Sequence, residues 1–152
     1  MNKKLLTIAI PTYKRCKYAI QNVKYLLPQV KAHQDKVRLI VTDNHSEDGT
    51  FEKLSEIANQ HADLFKFYEQ KENIGWMNNF FFGIEHSDSE FVFLLGDDDI
   101  VSPNFLDIVI PLLEQGGDHL GMLHFNYIMA DDNLSSGRLL YSNLENEQMV
   151  LT

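Results

Sequence analysis

Short apolar runs alternate along this chain with segments in which apolar residues recur every three or four positions. Leu5–Ile10, Val37–Thr42, Phe65–Tyr68, Phe91–Leu95 and Leu120–Met129 are runs of the first kind and predict five buried strands. Between the first two, Ala19, Val23, Leu26 and Leu27 mark one face of a helix over Tyr18–Leu27, which Pro28 should stop or kink. Phe51, Leu54, Ile57 and Ala58 mark a second helix, entered from the turn Asp48-Gly49-Thr50. Trp76–His86 predicts a third, with Phe80, Phe81 and Phe82 expected in the core. Asn104–Gln115 predicts a fourth, carrying Phe105, Ile108, Val109 and Leu112, bent at Pro111 and broken by Gly116-Gly117. From Asp131 onward the chain is polar and weakly patterned.

Strands that alternate with helices imply an α/β fold, a mainly parallel sheet covered on both faces as a three-layer α/β/α sandwich. A chain of 152 residues fits one domain, residues 1–152, and buries enough surface for a real core. Ligands of such sheets bind at the carboxyl ends of the strands. Those ends are Pro11–Arg15, Asp43–Ser46, Glu69–Gly75 and Gly96–Asp99, where the chemically suggestive residues of the sequence collect.

Charge narrows the choice of ligand. Thirteen basic and 22 acidic side chains give a net charge of −9, which excludes a nucleic-acid footprint. An anionic ligand would meet a repulsive field and needs a local cation. Cys16 is the only cysteine, so no intramolecular disulfide forms, as in a reducing compartment. Lys3 and Lys4 precede an apolar segment too short for a signal peptide, and no run approaches the roughly 20 apolar residues of a spanning helix. The expected location is cytoplasmic, with peripheral attachment at the inner face of a membrane left open.

The densest chemistry lies in Gly96-Asp97-Asp98-Asp99. Three adjacent carboxylates at a strand end repel one another unless a cation compensates them, and hard ions such as Mg²⁺ or Mn²⁺ share such oxygens with substrate phosphates. The plainer alternative is a helix-capping turn, but Ser102 and Pro103 already supply a cap and a first-turn proline. In Pro11-Thr12-Tyr13-Lys14-Arg15, a hydroxyl, an aromatic face and cations suit a base and a diphosphate, or form an ordinary loop. Asp43 can accept an imide N–H of a pyrimidine, whereas Asp48 and Thr50 read as helix caps. Asn73-Ile74-Gly75 reads as a turn in which glycine allows a positive φ or close approach of a ligand. His45 and His61 have no zinc-ligand spacing.

In this order and spacing, Ile8–Arg15, Val41–Thr50, Asn73–Gly75 and Leu94–Asp99 leading to Pro103 resemble the amino-terminal half of a family 2 glycosyltransferase with the GT-A fold. The resemblance covers about residues 5 to 115. It implies inverting transfer from a nucleotide-diphosphate sugar donor, with a pyrimidine base favoured, to a hydroxyl of a glycan or lipid-linked acceptor. The product would be a surface polysaccharide or related glycoconjugate. It further implies that Pro11, Thr12, Tyr13, Arg15, Asp43, Asn73, Gly75, Asn79, Asp97 and Asp98 contact the donor. Asp99, with Asp97, would hold a Mg or Mn ion.

Two departures stand out. The family's third motif commonly runs to Ala-Arg-Asn, but Asn79-Phe80-Phe81 stands at that spacing, so the usual arginine is missing. The acidic run is Gly-Asp-Asp-Asp where Asp-Ser-Asp-Asp is commoner. The family's general base lies well beyond the metal motif, and only 53 residues follow Asp99, which suggests a truncated or split enzyme. Asp131 and Asp132 are the acidic pair available for that role, although Asp-Asp-Asn also reads as a solvated loop. Rival readings are a sugar nucleotidyltransferase, which should carry a glycine-rich loop after the first strand, and a non-catalytic nucleotide-binding module. Apolar surface left uncovered would favour self-association into a homo-oligomer.

Overall fold

The computed structural model describes residues 3–125, 127–130 and 137–139. Its elements follow in the order β1 (Lys4–Thr12), α1 (Cys16–Ala32), β2 (Val37–Asp43), α2 (Thr50–Gln60), β3 (Phe65–Glu69), α3 (Trp76–Glu85), β4 (Ser89–Leu94), α4 (Phe105–Gly116), a short 3-10 helix (Gly117–His119), β5 (Ile128–Ala130) and β6 (Gly137–Leu139). Contacts divide the chain into two compact units, residues 1–111 and 112–152. Among the described residues no helix is long and apolar enough to cross a membrane.

The first unit is built on a parallel sheet in the order β3-β2-β1-β4. Its chain moves outward from β1 to β2 to β3, then returns to the other side of β1 as β4. Right-handed crossovers therefore set α1 and α2 on one face and α3 on the other, giving the expected three layers. In agreement, α1 touches α2 while α3 packs on β1 and β2. Leu6, Ile8, Ile10, Leu39, Ile40 and Val41 are buried in the two central strands. The reversal of direction makes the gap between the carboxyl ends of β1 and β4 a topological switch point, where open α/β sheets bind ligands.

Several elements differ from the sequence expectation. Helix α1 runs through Pro28 to Ala32 instead of stopping there. Pro28 lies on the exposed face, where water can satisfy the carbonyl it leaves unpaired, and buried Val30 holds the next turn in place. The first strand extends through Pro11 and Thr12, paired with Thr42 and Asp43, so those two residues belong to the strand and not to the following loop. None of Phe80, Phe81 and Phe82 is a fully buried core residue, and Phe81 is 49% exposed. The face of α3 turned inward is Asn79 and Gly83, four residues apart. A Cβ at Gly83 would lie 3.2 Å from the Cβ of Ala9, so the helix sits too close to β1 to bury a ring there.

Strand β4 is half-buried over Phe91–Leu94, because among the described residues it pairs on one edge only. In the second unit, the expected fifth strand over Leu120–Met129 is reduced to Ile128–Ala130, antiparallel to Gly137–Leu139 in a separate sheet. Residues 120–125 join no ladder. Apolar alternation becomes a strand only where a neighbour accepts its backbone hydrogen bonds.

Candidate functional site

The carboxyl ends of β1 and β4 meet through side chains. Thr12, the last residue of β1, donates its hydroxyl hydrogen bond to Asp97 Oδ2 at 2.7 Å. Arg15, three residues further on, donates from Nη1 to Asp97 Oδ1 at 3.1 Å and to Asp98 Oδ2 at 2.6 Å. Asp97 is buried, and that burial raises its pKa from the ordinary aspartate value in spite of the bonds from Thr12 and Arg15. Asp98 and Asp99 are exposed.

The acidic segment is itself a turn. Asp99 N donates to Gly96 O at 3.2 Å, and the Asp99 carboxylate folds back over Gly96. A Cβ on Gly96 would lie 2.6 Å from Asp99 Oδ2, so glycine at this position is what admits the carboxylate. From below, Asn22 of α1 donates from Nδ2 to Gly96 O at 3.1 Å and to Asp99 O at 2.8 Å, holding both ends of the turn. Asn22 is buried and its Oδ1 has no hydrogen-bond partner. The residue thus serves this turn through its donor end alone.

The loops after β2 and β3 are tied to each other. Asn44 Nδ2 donates to Asn73 Oδ1 at 2.9 Å, and Ile74 N donates to Asn44 Oδ1 at 2.9 Å. Asn73 Oδ1 also accepts from Gly75 N at 2.9 Å. Gly75 has φ 84° and ψ 154°, a conformation in effect restricted to glycine, while a Cβ there would meet open space. The backbone conformation by itself calls for glycine here. Asp43 is fully buried, and both its oxygens accept from Ser46, one from the hydroxyl and the other from the backbone N–H. Burial raises its pKa, against the lowering effect of those bonds.

Asp48 caps two helices where the sequence indicated one. Its Oδ1 accepts from Thr50 N and Oγ1 at the start of α2, and its Oδ2 accepts from Cys16 N at the start of α1. The bonds of Asp43 and Asp48 fix the loop at the β2 end. Lys14, His45 and Glu47 take positive φ of 55°, 65° and 55°, so backbone strain collects in the two loops that follow β1 and β2.

A cleft of about 200 Å³ opens at the switch point, lined by Pro11, Thr12, Tyr13, Arg15, Asn44, Trp76, Asn79, Phe80 and Asp97. The structure thus gathers Pro11, Thr12, Tyr13, Arg15, Asn79 and Asp97 of the expected donor-contacting set. Asp43, Asn73, Gly75, Asp98 and Asp99 lie outside the lining, and Asp131 and Asp132 lie outside the described residues. Asn79 reaches the cleft with its amide already engaged: Nδ2 donates to Thr42 O at 2.8 Å and Thr12 O at 3.4 Å, and Oδ1 accepts from Gln70. Asn44, Trp76 and Phe80 are additions that sequence reasoning missed. Trp76 carried a signal, a large ring directly after the Asn-x-Gly turn, and it stands 72% exposed. Asn22 also carried one, as a lone amide within the Ala19-Val23-Leu26 stripe of α1.

Among the described residues no three acidic, histidine or cysteine side chains converge as a ready-made metal cage. Three features nonetheless fit a hard divalent ion that takes one or two carboxylates and completes its shell from phosphate and water. The donors at the turn are all carboxylate oxygens, a guanidinium already stands in as the cation on Asp97 and Asp98, and Gly96 clears the space taken by the Asp99 carboxylate.

Comparison with known proteins agrees with this geometry. The family model for glycosyl transferase family 2 matches residues 7–149. The abequosyltransferase RfbV of Salmonella typhimurium is 25% identical over 114 residues, which are 75% of this chain and 34% of that protein. Among solved structures, the mannosyltransferase PcManGT of Pyrobaculum calidifontis, in complex with GDP-Man and Mn²⁺, is similar with a TM-score of 0.65 at 20% identity, covering 80% of this chain and 35% of that one. TarS 1–349 of S. aureus in complex with UDP-GlcNAc gives a TM-score of 0.61 at 20% identity, covering 73% and 31%. The chain thus spans about a third of the length of these relatives. With the parallel sheet, the switch-point cleft and the acidic turn in their places, the chain belongs to glycosyl transferase family 2 and has the GT-A fold.

Proposed function

We propose that this chain binds a nucleoside-diphosphate sugar at the β1–β4 switch point together with Mg²⁺ or Mn²⁺. In this reading it serves an inverting transfer of the sugar to an acceptor hydroxyl. The observation that carries the proposal is the meeting of Thr12, Arg15 and Asp97 across 85 residues of sequence, at the point among the described strands where the sheet's topology opens a crevice. Pro11, Thr12, Tyr13 and Asn44 form the β1–β2 side of the cleft and suit the nucleoside. Asp99, with Asp97, would hold the divalent ion, whose part when bound is to neutralise charge on the departing diphosphate. A glycan or lipid-linked acceptor, surface-polysaccharide synthesis and a cytoplasmic setting near the inner face of a membrane complete the proposal. The general base is left to Asp131 or Asp132.

Calorimetric titration of UDP, dTDP, GDP and CDP, each with Mn²⁺ and with chelator, tests the reading against wild type and Asp99→Ala. Metal-dependent binding of one diphosphate, lost in the variant, is expected. Absence of binding by all four would leave the fold without the activity.

A further inference from the structure

We propose that Arg15 is a built-in counter-cation of the acidic turn, one that exchanges Asp97 and Asp98 for the diphosphate of the donor when a divalent ion is taken up by Asp97 and Asp99. The inference rests on the donor-site reading above and assigns one residue two successive partners. Three observations support it. First, Asp97, Asp98 and Asp99 crowd like charge at one turn of a protein with a net charge of −9, and such a turn needs a neighbouring cation to stay compact. Arg15 provides it, 3.1 Å from Asp97 and 2.6 Å from Asp98.

Second, the contact is built to be given up. Both bonds run from the single nitrogen Nη1, without the two-pronged fork that makes arginine–carboxylate pairs strong. The Arg15 side chain is 50% exposed, as is that of Asp98 at 51%, so solvent already competes for the pair. Arg15 also follows Lys14, whose left-handed backbone aims the loop, and a long side chain at that point can turn without moving β1.

Third, the cleft has a cation to place and no other lining residue to supply it. Phe80 stands where the third motif would carry arginine, and Arg15 is the only cationic side chain lining the cleft. Once a divalent ion on Asp97 and Asp99 supplies the turn's positive charge, the guanidinium lies within the same cleft, and an oxyanion with two charges is the partner its planar donors fit best.

The test is binding of Mn²⁺ alone, read from the free-ion signal in electron paramagnetic resonance, to wild type, Arg15→Met and Arg15→Gln. A second titration uses whichever of the four nucleoside diphosphates binds wild type, at saturating Mn²⁺. Losing a half-exposed competitor should tighten Mn²⁺ binding about fivefold. Losing a charge-assisted contact should weaken the diphosphate about tenfold. Both neutral variants carry the same expectation, so misfolding of one leaves the other to decide. Unchanged or weaker Mn²⁺ binding in a folded variant overturns the exchange, as does unchanged diphosphate affinity. If wild type itself binds neither Mn²⁺ nor any of the diphosphates, the donor-site reading fails and this one with it. Intact wild-type binding with indifferent variants removes this inference alone.

Discussion

A single hydrogen at Gly96 decides where the Asp99 carboxylate can rest. A methyl group there would sit 2.6 Å from Asp99 Oδ2, so the Asp99 carboxylate would swing outward, while Asp98 Oδ1 at 3.3 Å would give by a few tenths of an ångström. Because the obstructed atoms are side-chain ends, Gly96→Ala should leave the melting temperature within about 3 °C of wild type. Displacing the Asp99 oxygens proposed to hold the ion should nonetheless weaken the proposed Mn²⁺-dependent nucleotide binding about tenfold or more. Thermal melts alongside calorimetry separate the two effects, and a large loss of stability with unaltered affinity would contradict this role for the glycine. At Asp48 the expectation reverses, because its bonds go to two helix starts and not to the ligand side. Asp48→Ala should destabilise by about 2 kcal/mol, roughly one per cap, and leave nucleotide affinity intact in the folded protein. Burial alone would raise the Asp48 pKa, but bonds from Thr50 Oγ1 and from the N–H groups of Cys16 and Thr50 hold it below the usual value. A carboxyl with a depressed folded pKa contributes stability above its unfolded value, about 3.9, and loses it as pH falls through the folded value. Denaturant unfolding should therefore show wild type and Asp48→Ala converging in stability as the pH drops below about 4.

At the scale of the element, α1 is the support on which the acidic segment is mounted. Asn22 grips the carbonyls of Gly96 and Asp99, and Gln29, seven residues and two turns on, accepts from Leu106 N and donates to Ser102 O. Both amides lie on one helical face, so the segment from 96 to 106 is held at two points. Asn22→Leu keeps the branching at Cγ, adds modest bulk and removes the donor. It also removes the orphaned Oδ1, so the stability change should stay near 1 kcal/mol, while Mn²⁺-dependent affinity falls about tenfold to a hundredfold. Hydrogen exchange at the Asp99 amide, which closes the turn onto Gly96 O, should speed up in that variant; unaltered exchange would mean the turn stands without α1. The sequence showed α1 and its apolar stripe but not this duty, because a grip on carbonyls 74 and 77 residues away exists only once β4 lies beside β1. For the same reason the strand ends were legible as a site, since runs of apolar residues end visibly, whereas Trp76 and Phe80 joined it only through the placement of α3. Pro28 does not stop α1 because its place on the exposed face of the helix is set only by packing, and helical spacing over Phe80–Phe82 does not reveal which face meets a close-packed Gly83.

For the molecule as a whole, the balance lies between net charge and uncovered apolar surface. Charge of −9 keeps copies apart at low ionic strength, where the screening length is about 30 Å at 0.01 M. In the second unit, Met122, Tyr127, Ile128 and Met129 are 73%, 52%, 60% and 57% exposed, a density of apolar side chains more typical of interfaces than of solvated surface. Among the described residues Ile128–Ala130 also belongs to a two-stranded sheet, a form with little independent stability in water and with backbone edges that can pair with another chain. These two properties act in opposite directions, so added salt should tip the outcome. Sedimentation equilibrium is expected to show a monomer at low ionic strength and reversible association as salt is raised, with Ile128→Lys shifting the midpoint to higher protein concentration. Nucleotide binding by the first unit should be unaffected by that substitution, because every residue lining the cleft falls within residues 11–97. A protein that stays monomeric at high concentration and high salt would show that this surface is covered within the chain, and the association proposed for it would then be withdrawn.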